Sequence, residues 1–210
     1  MNTIKPFIIK PFINVVRDPT RTDQIFKVIS NPFVTNAETF AIVNKHLRAT
    51  PKCAAMLDSR HLGNWDLNEL ALLPKGTLGQ VYAKHMLDNG LDSDFFPRLD
   101  VVSDHAYLQM RSRQTHDIWH VVTGFNTSVA DEVGLQAFSY AQMPSPASIT
   151  IITMFLLHAC FFKRDQIGAI MAAIARGWTL GSRAESLMGE RFEDMWSVNL
   201  EDYRRQLKLN

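Results

Sequence analysis

The chain has 210 residues, a formal net charge of +1 at pH 7, 20% charged residues and 46% hydrophobic residues. This balance is typical of an ordinary globular protein, and it excludes a disordered chain or one whose basic surface binds nucleic acid. Cys53 and Cys160 are too few for a disulfide framework, so we expect a reducing compartment. The length predicts one large domain over 1–210.

The amino-terminal segment is apolar but interrupted. Residues 7–16 give a short strand signal, and a second strand signal surrounds Val101. Pro6, Lys10 and Pro11 break the apolar core that a signal peptide needs, and the Arg- and Ser-rich composition of a transit peptide is missing. We therefore expect a cytoplasmic protein, and the residues leave peripheral attachment to a membrane open.

Helix-capping signals recur along the rest of the chain, and apolar residues at helical spacing follow them. Asn89-Gly90 is a helix stop. The predicted helix starts are Thr35-Asn36-Ala37-Glu38, Thr77-Leu78-Gly79-Gln80, Ser103-Asp104, Asp165, and Ser182-Arg183-Ala184-Glu185, the last with Met188, Phe192, Met195 and Trp196 facing inward. These signals predict an all-α fold, a single-domain helical bundle.

One long segment, 133–162, carries no charged residue. Pro144 and Pro146 split it and leave Ala147 to Phe162 as an apolar helix, shorter than the roughly 20 residues that span a membrane. Three interpretations stay open. The helix could be the buried centre of the bundle, it could line a lipid-sized cavity, or it could form a patch facing a membrane or a second subunit, as in a homodimer.

The motif His116-Asp117-Ile118-Trp119-His120 gathers metal-binding side chains. On a helix His116 and His120 lie about 40° apart on one face. Gly124-Phe125-Asn126 then predicts a stop, and Thr127 or Ser128 a cap for the next helix, so a hairpin would bring Glu132 to the height of His120. Imidazoles with carboxylates suit a divalent ion such as zinc, magnesium or iron. The alternative is a pair of solvated or hydrogen-bonded histidines.

Two other metal-dependent classes of protein share parts of this motif. Asp117 stands where a zinc peptidase of the HExxH type has its glutamate, so a peptidase is disfavoured. An HD-type metal phosphohydrolase needs an earlier histidine, His85 or His105, and a later aspartate such as Asp131. That class gives no reason for the spacing of His120 and Glu132.

The motif resembles that of the ubiquinone (coenzyme Q) biosynthesis protein 4 family, which is HDxxH followed by eleven residues and Glu. His116, Asp117, His120 and Glu132 match it in type and spacing. Asp131 departs from the family pattern, in which we expect a small residue, and this extra carboxylate could repel Glu132 or replace it as a ligand. Flanking similarities are Leu73-Pro74, Gly76-Thr77-Leu78-Gly79, Tyr82, Asp104, Tyr107, Arg111, Arg113, Trp119, Gly124, Phe138, Gln142, Trp196, Leu200 and Arg204.

The resemblance implies a mainly helical fold, a divalent metal at the motif, affinity for polyprenyl lipids and peripheral association with membranes. It further implies that the chain supports other quinone-biosynthetic proteins. The family is also linked to removing the ring carboxyl of a prenylated 4-hydroxybenzoate precursor, with oxidation at the same carbon. Two hypotheses follow: a metal-dependent decarboxylase or hydroxylase, in which Asp117 or Glu132 moves a proton, and a non-catalytic lipid-binding scaffold.

Candidate ligand-binding residues lie on both sides of the motif. Arg111 and Arg113, one to two turns before His116, could pair with an anionic head group. They could equally be surface arginines or ion-pair partners of Asp104 or Asp117. A polyprenyl tail gains about 0.8 kcal/mol per buried CH₂, and the apolar helix offers a wall for it, formed by Met154, Phe155, Leu156 and Phe161.

Overall fold

The computed structural model describes residues 6–92 and 100–210, and every regular element in this part of the chain is helical. The all-α prediction is therefore confirmed. The α-helices are α1 (Pro6–Arg17), α2 (Thr22–Ile29), α3 (Ala37–Arg48), α4 (Pro51–Ser59), α5 (Leu67–Ala71), α6 (Leu78–Asp88), α7 (Asp104–Thr123), α8 (Val129–Gln142), α9 (Pro146–Phe162), α10 (Ile167–Arg183) and α11 (Leu200–Gln206). Three 3-10 turns occupy Arg164–Gln166, Leu187–Gly189 and Phe192–Asp194.

The described residues form two compact units. The first contains 6–46 and 127–182, and the second contains 47–92, 100–126 and 183–210. The first unit thus holds α1, α2, most of α3, α8, α9 and α10, whereas the second holds α4 to α7 and α11. The single domain expected over 1–210 stays a prediction.

The core of the first unit is apolar and centres on α9. Met154 and Phe155 of that helix are buried among Val133 and Ala137 of α8 and Ile170 of α10. Removing such side chains from water supplies about 25 cal/mol for each Å² of apolar surface. The predicted apolar helix is confirmed at Pro146–Phe162, but it is not buried all round, because Phe161 and Phe162 at its end are exposed.

The first helix corrects the strand predicted at 7–16. Ile8 and Val15 are buried, and Phe12 and Val16 pack partly against the same core, which is the 3.6-residue spacing of a helix. Pro11 lies inside this helix, although it supplies no backbone N–H. The tertiary burial of one helical face therefore decides the structure here. Around Val101 the chain is irregular and no strand forms among the described residues.

The two capping boxes form, but the first is displaced by one residue. Asn36, not Thr35, caps α3: its Oδ1 accepts hydrogen bonds from the backbone N–H groups of Glu38 and Thr39 at 3.0 Å each. The hydroxyl of Thr35 instead donates to the carbonyl of Ile29 at 2.7 Å. Thr77 caps α6 as predicted. The predicted stops and starts at Asn89-Gly90 and Ser103-Asp104 are confirmed.

The helix predicted to open at 182–185 is wrong. α10 continues to Arg183, and the following segment forms the 3-10 turns Leu187–Gly189 and Phe192–Asp194. In this irregular segment the backbone carbonyl of Glu190 accepts a hydrogen bond from the side chain of Arg111 at 2.8 Å. In the predicted helix it would have accepted one from a backbone N–H of the same helix. The last helix, α11, begins only after Asn199, whose side chain caps it.

None of the helices in the described ranges has the length and hydropathy needed to cross a bilayer. The most apolar of them, α9, has 17 residues.

Candidate metal centre

The motif histidines lie on the last two turns of α7, inside the second unit. Ser103 caps this helix by accepting a hydrogen bond from the N–H of Ala106 at 3.1 Å. Gly124 ends it with φ 69°, a left-handed conformation that favours glycine. The N–H of Gly124 donates to the carbonyl of His120 at 2.9 Å. The predicted stop is thereby confirmed.

This helix end also fixes the imidazole of His120. The chain turns back after Gly124, so that the carbonyl oxygen of Phe125 lies 3.0 Å from Nδ1 of His120. A carbonyl only accepts hydrogen bonds, so Nδ1 carries the proton and the lone pair of the neutral ring is at Nε2. Hydrogen bonds of this kind orient histidine ligands in metal sites. His120 is also buried.

His116, Asp117 and His120 form a group that could hold a metal ion. Their donor atoms, one from each residue, lie within 4.8 Å of one another. Ligands that bind one ion at about 2.0–2.2 Å are separated by at most roughly 4 Å, so small side-chain rotations would close the group on an ion. The rings of His116 and His120 lie 4.8 Å apart and perpendicular, at 88°. Two imidazoles and a carboxylate fit zinc, iron and similar divalent ions.

Glu132, the other predicted ligand, belongs to the first unit and lies in the opening turn of α8. Its Oε1 accepts a hydrogen bond from Nε2 of Gln136 at 3.0 Å. The unexpected neighbour Asp131 is engaged locally, because its Oδ2 accepts a hydrogen bond from the hydroxyl of Ser128 at 2.8 Å. Ser128, one of the two predicted candidates, is the cap of α8. The place of Glu132 in the metal site stays a prediction.

His85 is a third imidazole beside the group, which the sequence offered as a ligand only for the HD-type phosphohydrolase alternative. Its ring lies 6.1 Å from that of His120, with 23° between the ring planes. Burial lowers the pKa of His85, and the positive charge that a protonated His120 would carry lowers it further. The signal in the sequence was its inward position on the capped helix after Thr77, which does not distinguish a ligand from a core histidine.

Arg111 is fully buried and makes an ion pair. Its Nη2 donates to Oε2 of Glu193 at 3.1 Å, and its Nη1 donates to the other oxygen of the same carboxylate. Nη1 also donates to Gln114 at 3.1 Å. The ion-pair partner is thus a glutamate 82 residues further along the chain, not Asp104 or Asp117. Binding of an anionic head group by Arg111 stays a prediction.

Arg113, by contrast, is half-buried, and burial lowers the pKa of its guanidinium group. The four residues predicted to contact a lipid differ in exposure. Met154 and Phe155 are core residues of the first unit, Leu156 packs partly against that core, and Phe161 is 64% exposed. Leu156 and Phe161 therefore keep surface that a lipid could reach, and lipid contact stays a prediction for all four.

Helical structure and a His–Asp–His group on one helix define a class of all-α proteins whose site fits a divalent metal. Comparison with known proteins identifies the family within that class. Residues 7–210 match the family "Coenzyme Q (ubiquinone) biosynthesis protein Coq4". The chain therefore belongs to the Coq4 family, and the predicted resemblance is confirmed.

Individual relatives agree with this assignment. The chain is 25% identical over 204 residues to the mitochondrial ubiquinone biosynthesis protein COQ4 homolog of Danio rerio, a match that covers 94% of this chain and 73% of that protein. It is 26% identical over 186 residues to the Homo sapiens homolog, covering 83% and 67%. A solved structure from Nostoc punctiforme, described as a candidate ubiquinone biosynthesis protein, has a TM-score of 0.85 at 32% identity and covers 97% of both chains.

Family membership assigns the chain a role in ubiquinone biosynthesis. The Danio rerio and Homo sapiens relatives are named as mitochondrial proteins, so the cytoplasmic location expected from the sequence is not confirmed.

Proposed function

We propose that the chain is a metal-dependent protein of quinone biosynthesis that acts at C1 of a prenylated 4-hydroxybenzoate precursor. The observation that carries the proposal is the group of His116, Asp117 and His120, with donor atoms within 4.8 Å of one another on the helix of a Coq4-family chain. Nitrogen and carboxylate donors together suit divalent metals that leave positions open for a substrate.

Each residue of the group has a distinct role. The hydrogen bond from Nδ1 of His120 to Phe125 presents Nε2 of that ring as a ligand. His116 adds a second nitrogen one turn earlier, and Asp117 adds a negatively charged oxygen. A divalent ion bound there would polarise the ring carboxylate or phenolate of the substrate. Asp117 or Glu132 would hold a proton during the reaction.

The reaction replaces the ring carboxyl group by hydroxyl. The bond from C1 to the carboxyl carbon breaks, carbon dioxide leaves, and an oxygen atom enters at C1. This exchange is a two-electron oxidation of the ring. With water supplying the oxygen that enters at C1, dioxygen must be supplied to accept the two electrons and two protons, and it leaves as hydrogen peroxide. Binding of a polyprenyl tail is part of the proposal, since each CH₂ withdrawn from water contributes about 0.8 kcal/mol.

The experiment combines metal analysis with turnover. The purified protein would be tested for its metal content, and for release of labelled carbon dioxide from a prenylated 4-hydroxybenzoate labelled at the carboxyl carbon. His120→Ala should lose metal and turnover while its circular dichroism stays helical. His105→Ala is the matched control, because His105 lies on the same helix but outside the group and its Nε2 is 3.1 Å from Nε2 of Gln109.

Three measurements decide which parts of the proposal hold. Full metal content in His120→Ala would remove the ligand assignment. A metal-loaded wild-type protein that binds the prenylated substrate but releases no carbon dioxide would favour the scaffold hypothesis. Loss of co-purifying prenyl lipid in Phe161→Ser, measured by mass spectrometry, would support lipid contact at the end of α9, and unchanged lipid would argue against it.

A further inference from the structure

His85 holds a buried ring nitrogen that the fold leaves unsatisfied. Its Nε2 is inaccessible to solvent and has no hydrogen-bond partner among the described residues. A buried polar atom without a partner costs about 1–3 kcal/mol, so such an atom calls for an explanation in the function of the protein. The ring is carried by α6 within the second unit, the unit that also contains α7 and its metal-binding group.

The surroundings of His85 point to the metal group. The ionisable groups whose charged forms would act on this ring are His120, Asp117, Asp88 and His116, and three of these four form the proposed centre. The fourth, Asp88, is engaged at the surface by Lys84, whose Nζ lies 2.5 Å from Oδ2 of the carboxylate. A structural role as a hydrogen-bonded core histidine would give Nε2 a protein partner, and the described residues provide none.

The ring separation is compatible with a shared ion. When an imidazole nitrogen binds a metal at about 2.0–2.1 Å, its ring centre lies roughly 3 Å from the ion, so two such rings are at most roughly 6 Å apart. The observed separation of 6.1 Å between His85 and His120 lies at this limit. Two ligands on nearly opposite sides of one ion would have this separation. His85 lies outside the group of donor atoms within 4.8 Å, so the smaller angles of a tetrahedral ion require its ring to move closer.

We propose that His85 is an additional nitrogen ligand of the metal centre, binding through Nε2 the same ion as His116, Asp117 and His120. This inference rests on the metal site of the proposed function, and it narrows the choice of metal ion. Three imidazoles with a carboxylate favour zinc, iron or cobalt over magnesium, which prefers oxygen ligands.

The test measures metal binding without any substrate. Metal-free wild-type protein, His85→Phe and His85→Gln would be titrated with Co²⁺ and with Mg²⁺ by calorimetry, and the visible absorption of the cobalt forms recorded. Phe keeps a ring in the cavity without a nitrogen, and Gln keeps a polar group. His105→Phe is the matched control, because it removes a histidine of the same unit outside the group.

We expect His85→Phe and His85→Gln to weaken Co²⁺ binding at least 10-fold. Mutation of residues that only hydrogen-bond to a metal ligand already weakens metal binding by roughly 10–100-fold. The cobalt spectrum should change as one nitrogen ligand is lost. His105→Phe should leave both measurements unchanged, and melting of the metal-free variants shows that they are folded. Unchanged affinity, or weaker binding with an unchanged cobalt spectrum, would overturn the role of His85. If wild-type protein binds neither ion, the proposed metal site itself fails, and the two failures are thereby distinguished.

Discussion

In the first unit none of the buried side chains of the described residues belongs to Asp, Glu, Lys or Arg, although three glutamines, Ser148 and His158 are buried, and the core is built around Met154 and Phe155 of α9. The second unit instead encloses Arg111 and Glu190, each only 1% exposed, together with His120. Apolar side chains need only complementary volume, whereas each buried charge needs a partner of the right chemistry. The first interior therefore depends mainly on the shape of its apolar side chains, whereas the second adds contacts between buried charged groups to its apolar packing.

The largest effect should come from breaking the ion pair of the second unit. Arg111→Leu leaves Glu193 and the carbonyl of Glu190 without their donor, and we expect a loss of about 3–5 kcal/mol in the free energy of unfolding. Urea denaturation followed by circular dichroism measures it. Arg205→Leu is the control, since its ion pair with Asp202 is at the surface, and should change stability by less than about 0.5 kcal/mol.

The double variant Arg111→Leu with Glu193→Leu sharpens this prediction. It removes both charges, so it should recover much of the stability that the single variant loses. A single variant as stable as wild type would mean that the second unit does not depend on its polar partners, and the comparison between the interiors would fail.

In the first unit, truncating a buried aromatic side chain should lower the free energy of unfolding about as much as removing Arg111 does in the second unit. Phe155→Ala deletes a ring that is 3% exposed, and we expect a loss of about 3–5 kcal/mol because a cavity remains. Phe155→Leu should lose less, and Phe161→Ala, at an exposed position, should change little. Thermal and urea melts of the three variants give the ranking. Equal losses for Phe155→Ala and Phe161→Ala would contradict an apolar core at α9.

A smaller change in stability is expected from adding a methyl group where α10 packs against α8. A Cβ atom at Gly177 would lie 2.0 Å from the carbonyl oxygen of Gly134, a contact with backbone that cannot move aside easily. Gly177→Ala should therefore lose about 1–3 kcal/mol. Gly168→Ala on the same helix meets nothing within 4 Å, and should gain up to roughly 0.5–1 kcal/mol. If both variants changed the free energy of unfolding in the same direction, this prediction would be wrong.

The smallest effect should be the change in stability of the second unit as the pH is lowered. Burial alone would raise the pKa of Glu193, but the hydrogen bond and charge of Arg111 outweigh it and hold that pKa below its ordinary value of 4.5. A lowered folded pKa means that this stabilisation is present above the unfolded pKa and is lost as the pH falls through the folded one.

Unfolding curves between about pH 7 and about pH 3 test the acid sensitivity of this ion pair. The wild-type protein should lose more stability over this range than the double variant Arg111→Leu with Glu193→Leu. Parallel curves for the two proteins would show that Glu193 does not contribute.

Local signals predicted much of this fold. Ser103, Thr77 and Ser128 cap their helices as expected, because a cap depends on a few neighbouring residues. The segment after α10 was predicted wrongly because its shape depends on distant partners. Its Glu190 lies 79 residues from Arg111, and no spacing within either segment indicates that they meet.

The candidate site divides in the same way. His116, Asp117 and His120 share one helix face, so their spacing alone predicted the group that the structure brings together. His85 comes from another helix, and its approach to His120 depends on how α6 packs against α7. The helical spacing of apolar residues predicted that His85 faces inward, but it could not predict that His85 lies beside His120.

The orientation of His120 depends on a main-chain oxygen, that of Phe125, rather than on a side chain. Exchange of the side chain at position 125 cannot delete that acceptor, so the imidazole is protected against most point mutations around it. The vulnerable position is Gly124, whose φ of 69° few other residues adopt without strain. Variation that reshapes this bend would change the orientation of the His120 ring from a position outside the candidate metal group.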